Sequence, residues 1–211
     1  LLCLMLILSG IMASAISQRI VKPINELDLE SPEENRIYEE LSPLLSKIHR
    51  QNREIQNLKK TMEYAVTYLK SAGQIDYELV NNMHKLILDS VRGSMKTPGQ
   101  IRTTQNWIGP RGYSMENAAF VPPAPEEVYG LLVNLYQYMN DEFIDPLLIN
   151  IALSHMQFET IHAYKDGNGR LGRALIPVQM ALFESGTPIL YMSEILELYK
   201  PSYQRLSLIH I

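Results

Sequence analysis

The hydrophobic and polar positions divide the chain into three stretches with different periods. Residues 1–17, LLCLMLILSGIMASAIS, carry no charge, and Arg19 and Lys22 follow directly, which is the order found at the cytoplasmic end of a transmembrane helix. A helix of that length rises about 25 Å against roughly 30 Å of hydrocarbon. Because the chain also opens at Leu1 without an initiator Met, the segment is expected to be a truncated membrane anchor. A cleaved signal peptide is the rival, since Ala13-Ser14-Ala15 has the small-x-small form of a cleavage site, but no basic residue precedes the apolar run.

After the connector RIVKPINELDLESPEEN the period changes. From about Asn35 to Ala72, Leu41, Ile48, Ile55, Met62 and Leu69 recur every seventh residue, with Leu44, Leu58 and Ala65 at the intermediate position and Gln51 as a polar interruption. This predicts one long helix with a narrow apolar seam. Its second half is expected to pack on the domain that follows, and its first half to pair with another copy.

From Ser71 onward the pattern is that of a compact helical domain. SAGQ is a turn, and Ile75, Leu79, Met83 and Leu86 then keep helical spacing until RGSMKTPGQ breaks it. QIRTTQNWIG, a GPRG turn and NAAFVPP form the one strand-like region, a short hairpin. Pro125, Glu126 and Glu127 open a helix running to about Met139, with acidic residues at its positive end. A further helix covers Pro146 to Ile161, burying Leu147, Ile151, Phe158 and Ile161, and another resumes near Gly169 and ends before Ser185-Gly186-Thr187-Pro188.

Composition narrows the partners more than the fold. With 46% hydrophobic residues a core can be buried, and a net charge of −4 gives no basic surface for nucleic acid. The single Cys3 excludes a disulfide framework or a cysteine zinc site. Anion binding must therefore come from a local cluster, and HAYKDGNGRLGR, residues 162–173, is one.

In that stretch Asn168 is a candidate N-cap, and Gly167 and Gly169 let the backbone turn tightly and bare its amides at the positive end of the next helix. The result is an anion nest suited to nucleotide phosphates. Arg170 and Arg173, three apart, share a helix face and can grip phosphate oxygens. Asp166 is the lone carboxylate that Mg²⁺ takes from a protein when phosphates and waters fill its other positions. His155 and His162 are seven apart, too far along a helix to share one zinc, so His155 reads as a core histidine. His162 stands at the rim of the anion site, where an imidazole suits a general base acting on an attacking hydroxyl. A base, a metal carboxylate and an anion nest in one loop describe nucleotidyl or phosphoryl transfer.

The same loop resembles the signature of the Fic family, His-x-Phe-x-Asp/Glu-Gly-Asn-Gly-Arg-x-x-Arg, with Tyr164 in place of Phe. The resemblance extends through KTPGQIRTTQNWIG, ENAAFVPPAPEEV, HMQFETIH and PILYMSE, roughly residues 60–203. It implies an all-α domain with a small β-hairpin flap that transfers AMP from ATP to a Ser, Thr or Tyr hydroxyl of a target protein. It further implies His162 as the base, Asp166 as the Mg²⁺ ligand, and Gly167, Asn168 and Gly169 as the anion hole for the α- and β-phosphates. Arg170 would be a phosphate and structural anchor and Arg173 the γ-phosphate clasp, while Phe120, Val121, Pro122 and Pro123 would form the flap that aligns the target segment.

Two departures from the family pattern bear on activity. Ala163 stands where the family often has Pro, leaving the loop less rigid. The Ser/Thr-x-x-x-Glu-Gly/Asn helix with which many members restrain themselves has no match: Ser31 to Asn35 is one residue short, and Ser193 to Glu197 is followed by Leu198. Arg173 is therefore expected to be unrestrained and the enzyme deregulated. Gly169 stands where Doc-like phosphotransferases of the same superfamily carry Lys, which favours AMP transfer over that rival. A second rival is a catalytically inactive, membrane-tethered signalling or interaction module.

The first sixty residues also resemble the membrane-proximal segment of bacterial sensor histidine kinases, through QRIVKPINELDLESPEEN and EELSPLLSKIHRQNREIQ. The phosphoacceptor pattern of that family is missing, and His49 reads as a solvated helix residue. The N-terminal third is thus either the anchor of a membrane-tethered Fic protein or one side of a chimeric join near Gln56 to Thr61. The expected organisation is an apolar transmembrane-like segment at 1–17, a juxtamembrane linker and coiled-coil-like helix at 18–59, a cytoplasmic Fic catalytic core at 60–205 and an apolar, truncated tail at 206–211.

Overall fold

The heptad seam of the sequence becomes α3, Ser42–Ala72, and its two halves end in different surroundings. Pro43 falls in the first turn, where its missing N–H would have had no helical acceptor. Met62, Ala65 and Leu69 are buried in the main core, whereas Leu44 and Ile55 on the first half are exposed. The computed structural model describes residues 2–25, 42–109, 112, 114–141, 144–184 and 198–199. The connector after residue 25, Ser31 to Asn35, PILYMSE and the tail at 206–211 lie outside them.

The chain divides into two units, Leu1–Ile55 and Gln56–Ile211. In the first, the apolar run forms α1, Leu2–Ile16, continued by a π-helical turn, Ser17–Val21, and a short α2, Lys22–Asn25. The expected membrane anchor is not supported. No helix among the described residues is long and apolar enough to cross a membrane.

In the second unit four further helices follow the predicted segments. They are α4, Tyr77–Ile87; α5, Pro125–Met139; α6, Leu147–Ile161; and α7, Asn168–Glu184. Asp76 caps α4 by accepting the Leu79 N–H at 2.9 Å, and Pro125 begins α5 with Glu126 and Glu127 in its first turn. α5 packs on α6, α6 on α7, and α4 on both α5 and α7. Leu79, Val80, Met83, Val128, Leu132, Phe158, Ile161, Leu171 and Val178 fill the space between them. Buried amides tie the layers where side chains are polar. Gln179 donates to Asn150 Oδ1 at 2.6 Å, and Asn150 donates to the carbonyls of Tyr138, in the last turn of α5, and of Asp141 just after it.

The expected β-hairpin is corrected to a single antiparallel pair. Ile108 and Phe120 exchange two backbone hydrogen bonds, at 2.9 and 3.1 Å, and no strand forms among the described residues. The ladder cannot lengthen past Phe120 because Pro122 and Pro123 have no N–H to donate. Gln105 compensates with its side chain, whose amide donates to the Pro122 carbonyl at 2.8 Å. On the other side the chain enters a 3₁₀ turn, Met115–Asn117.

Candidate active site

α6 ends where the backbone of His162 turns left-handed, at φ 48° and ψ 55°, with its N–H still donating to the Phe158 carbonyl at 3.2 Å. A left-handed residue after a helix stops it and redirects the chain, but a side chain there is strained and must be held. Arg102 holds it: Nε donates to the His162 carbonyl at 3.0 Å, and Nη2 donates to the carbonyls of Pro123 and Ile161. The same residue's backbone N–H donates to the Ala163 carbonyl at 2.8 Å. Arg102 is 1% exposed, so one buried guanidinium joins the foot of the flap to the histidine.

The His162 ring sits with Nδ1 3.4 Å from the Glu159 carbonyl. That carbonyl can only accept, which assigns the proton to Nδ1 and leaves Nε2 with its lone pair. Burial pushes the imidazole down to about 4, against the opposing pull of the Glu159 carbonyl. At neutral pH the ring is uncharged and able to take a proton.

The loop after His162 closes on itself. Asn168, expected as an N-cap, instead turns its amide back: Oδ1 accepts the Tyr164 N–H at 2.9 Å and Nδ2 donates to the Tyr164 carbonyl at 2.7 Å. The cap position belongs to Gly167, whose carbonyl accepts the first helical bond, from Leu171 at 2.9 Å. Gly167 has φ +84°, and a Cβ there would press on His84 and Leu88 at 3.1 Å. The first amides of α7 have no helical acceptor, and Gly169 leaves them bare. Arg173 reaches back one turn, its Nη1 lying 3.2 Å from where a Gly169 Cβ would stand, so the guanidinium lies at the same helix end.

Asp166 lies beside this nest. Its Oδ1 accepts from the Gly167 N–H at 2.6 Å and from Arg170 Nη2 at 3.3 Å, and Arg92 Nη2 stands 3.8 Å away. All three contacts fall on one oxygen. The other, Oδ2, keeps the hard anionic donor character that Mg²⁺ takes from a protein, so the carboxylate fits such an ion.

Several neighbours of the junction carry no signal in the motif. His84 is fully buried and stacked on Tyr164, ring centroids 3.9 Å apart. Its Nδ1 accepts the Gly99 N–H at 2.7 Å, so Nε2 is the donor to the Asp166 carbonyl at 2.8 Å. The Tyr164 hydroxyl, the one departure from the signature, donates to Asn81 Oδ1 at 2.6 Å. Glu159 is buried with neither carboxyl oxygen hydrogen-bonded, and burial raises it to about 7 although Arg173 pulls it down. His84 could have been found, since it shares the buried face of α4 with Val80 and Ile87. Arg102, in the polar run QIRTTQ, offers no such clue.

The predicted residues thus divide into two groups. His162, Asp166, Gly167, Asn168, Gly169, Arg170 and Arg173 meet around one helix-loop-helix junction. Phe120, Val121, Pro122 and Pro123 lie on the flap, with Val121 exposed and Pro122 buried, joined to the junction through Arg102. His155 is not part of the junction: it lines a small cavity with Ser154, Phe158 and Gly172. His49 contacts Arg53 on the surface of α3.

Comparison with known proteins adds independent observations. Residues 74–180 match the Fic/DOC family. Over 122 residues the chain is 30% identical to the protein adenylyltransferases fic-1 of Caenorhabditis briggsae and Caenorhabditis elegans, covering 56% of this chain. It spans only 21% of the length of those relatives. Among solved structures, a Fic family protein from Desulfovibrio desulfuricans superimposes with a TM-score of 0.60 at 18% identity, over 93% of this chain and 59% of that one. A Fic domain containing signaling protein from Bacteroides thetaiotaomicron gives 0.58 at 18% identity, over 84% and 68%. At that identity these two speak for the fold.

Proposed function

The chain belongs to the Fic/DOC family, and from that membership we propose that it is a protein adenylyltransferase, moving AMP from ATP to a Ser, Thr or Tyr hydroxyl of a target protein. The observation that carries this reading is His162: neutral, held left-handed, and with Nε2 available one loop away from an anion nest. Relatives at 30% identity bear the name protein adenylyltransferase, which supports the same reaction class.

In this reading the target hydroxyl hydrogen-bonds to His162 Nε2, which takes its proton as the oxygen attacks the α-phosphorus of ATP. The new P–O bond forms as the bond between the α- and β-phosphates breaks, and pyrophosphate leaves with the electron pair. The amides at Gly167 to Gly169 face the phosphates as charge builds, while Arg170 and Arg173 orient them with directed donors. Mg²⁺ held on Asp166 would neutralise phosphate charge. The flap positions the target segment, and Arg102 keeps it in register with His162.

The test is to incubate the full chain with α-labelled ATP and Mg²⁺, wild type beside His162→Ala, and to follow intact mass on the protein and on proteins of a lysate. Label from the α-phosphate that requires His162 is the expected result. Addition of a phosphate mass without the α-label would point instead to a phosphotransferase, and no transfer by a folded chain would leave an interaction module.

A further inference from the structure

The loop that follows α4 brings a cation to the anion site that the signature does not contain. Residues 88–99 fold against the motif loop so closely that a Cβ on Gly93, at φ +96°, would lie 3.1 Å from Asp166 Cγ. The carbonyl of Arg92 accepts from Arg170 Nη2 at 2.7 Å. The backbone at Arg92 and Gly93 is therefore hydrogen-bonded to Arg170 and packed closely against Asp166, the two residues that flank the nest. The side chain itself is not: it is 77% exposed, and its ion pair with Asp166 is 3.8 Å long.

We propose that Arg92 is a third arginine of this site, gripping the β- and γ-phosphates of the nucleotide while leaving its nucleoside untouched. The inference rests on the adenylyl-transfer reading. An exposed ion pair at that distance holds a guanidinium weakly. Asp166 Oδ1 moreover has the Gly167 N–H and Arg170 closer to it, so it does not depend on Arg92 as a counter-charge. A triphosphate beside it offers what the carboxylate edge does not, several anionic oxygens at bidentate spacing. Anchoring of the loop through Gly93 and the Arg92 carbonyl removes most of the backbone cost of presenting the fork.

The Arg92→Ala change keeps the carbonyl that holds Arg170, so it removes the fork and not the wall. Titration calorimetry of the full chain with Mg²⁺ and α,β-methylene-ATP, which binds without transferring AMP, reads the contact directly, with AMP as the reference ligand. Arg92→Ala is expected to weaken the triphosphate analogue about tenfold while AMP affinity moves less than about twofold, and Arg92→Lys is expected to fall between. Equal affinity of Arg92→Ala and wild type for the analogue overturns the proposal, and so does a parallel loss for AMP, which would mark a structural role. A wild-type chain that binds neither nucleotide overturns the adenylyl-transfer reading itself.

Discussion

Tyr164 stands where the signature has Phe, and its surroundings explain the extra oxygen. The hydroxyl meets Asn81 Oδ1 at 2.6 Å in a fully buried position, and the ring stacks on His84. Replacing a residue by its family consensus usually stabilises, but here Tyr164→Phe strands a buried acceptor. The expected result is a loss of about 1–3 kcal/mol, read as a lower urea midpoint at unchanged slope; an unchanged or higher midpoint would contradict the bond. The sequence marked Tyr164 as unusual and stayed silent on its partner, because Asn81 lies 83 residues away. Asn168 shows the opposite limit. Its identity and place were legible, yet its amide closes the loop onto Tyr164 instead of capping α7, a choice made by burial and by the Tyr164 peptide group in reach.

α6 and α7 meet through a position with no side chain. A Cβ on Gly172 would collide with Glu159 Oε1 and stand 3.2 Å from Phe158 Cδ1, both residues being buried. Helix propensity favours Ala over Gly by about 1 kcal/mol, and overpacking opposes it by about 1–3 kcal/mol. Gly172→Ala is therefore expected to lower the thermal midpoint, and a rise would show that the helices can separate at no cost. The helices themselves were readable from spacing: α5 and α6 fall where apolar periodicity and the initial prolines put them. The flap was not, since its strand-like residues are interrupted by Pro122 and Pro123, and a two-residue bridge needs a tertiary partner to exist at all. α1 shows a third case: its hydrophobicity was read correctly, while no helix among the described residues is long and apolar enough to cross a membrane.

For the whole domain, the buried titrating groups set opposing pH slopes. His155 and His162 are pushed from 6.5 down to about 4 by burial. Between those values the unfolded chain takes up protons that the folded one refuses, so stability falls as the pH drops from 6.5 towards 4. Glu159 is raised from 4.5 to about 7, so its contribution is complete below 4.5 and is lost as the pH rises through 7. Burial lowers His84 as well, so three groups outweigh one across most of the range, and the urea midpoint is expected to climb from pH 4 to about 6.5 and then ease downward. Glu159→Gln should remove the downturn above 6.5; persistence of that downturn would assign it to another group.

The bonds that tie the loop at His162 to the rest of the domain join residues far apart in the chain, which bears on how the protein is made. His84 reaches Asp166 across 82 residues, Arg102 reaches the His162 carbonyl across 60, and Tyr164 reaches Asn81 across 83. Contacts of such separation form late, after the intervening chain has been ordered. During translation, a chain that stalls or is released before about residue 170 has lost the start of α7 and cannot shape the loop, whatever else of it has folded. An interrupted synthesis therefore yields a fragment without the formed loop, which takes shape only once the start of α7 has been made.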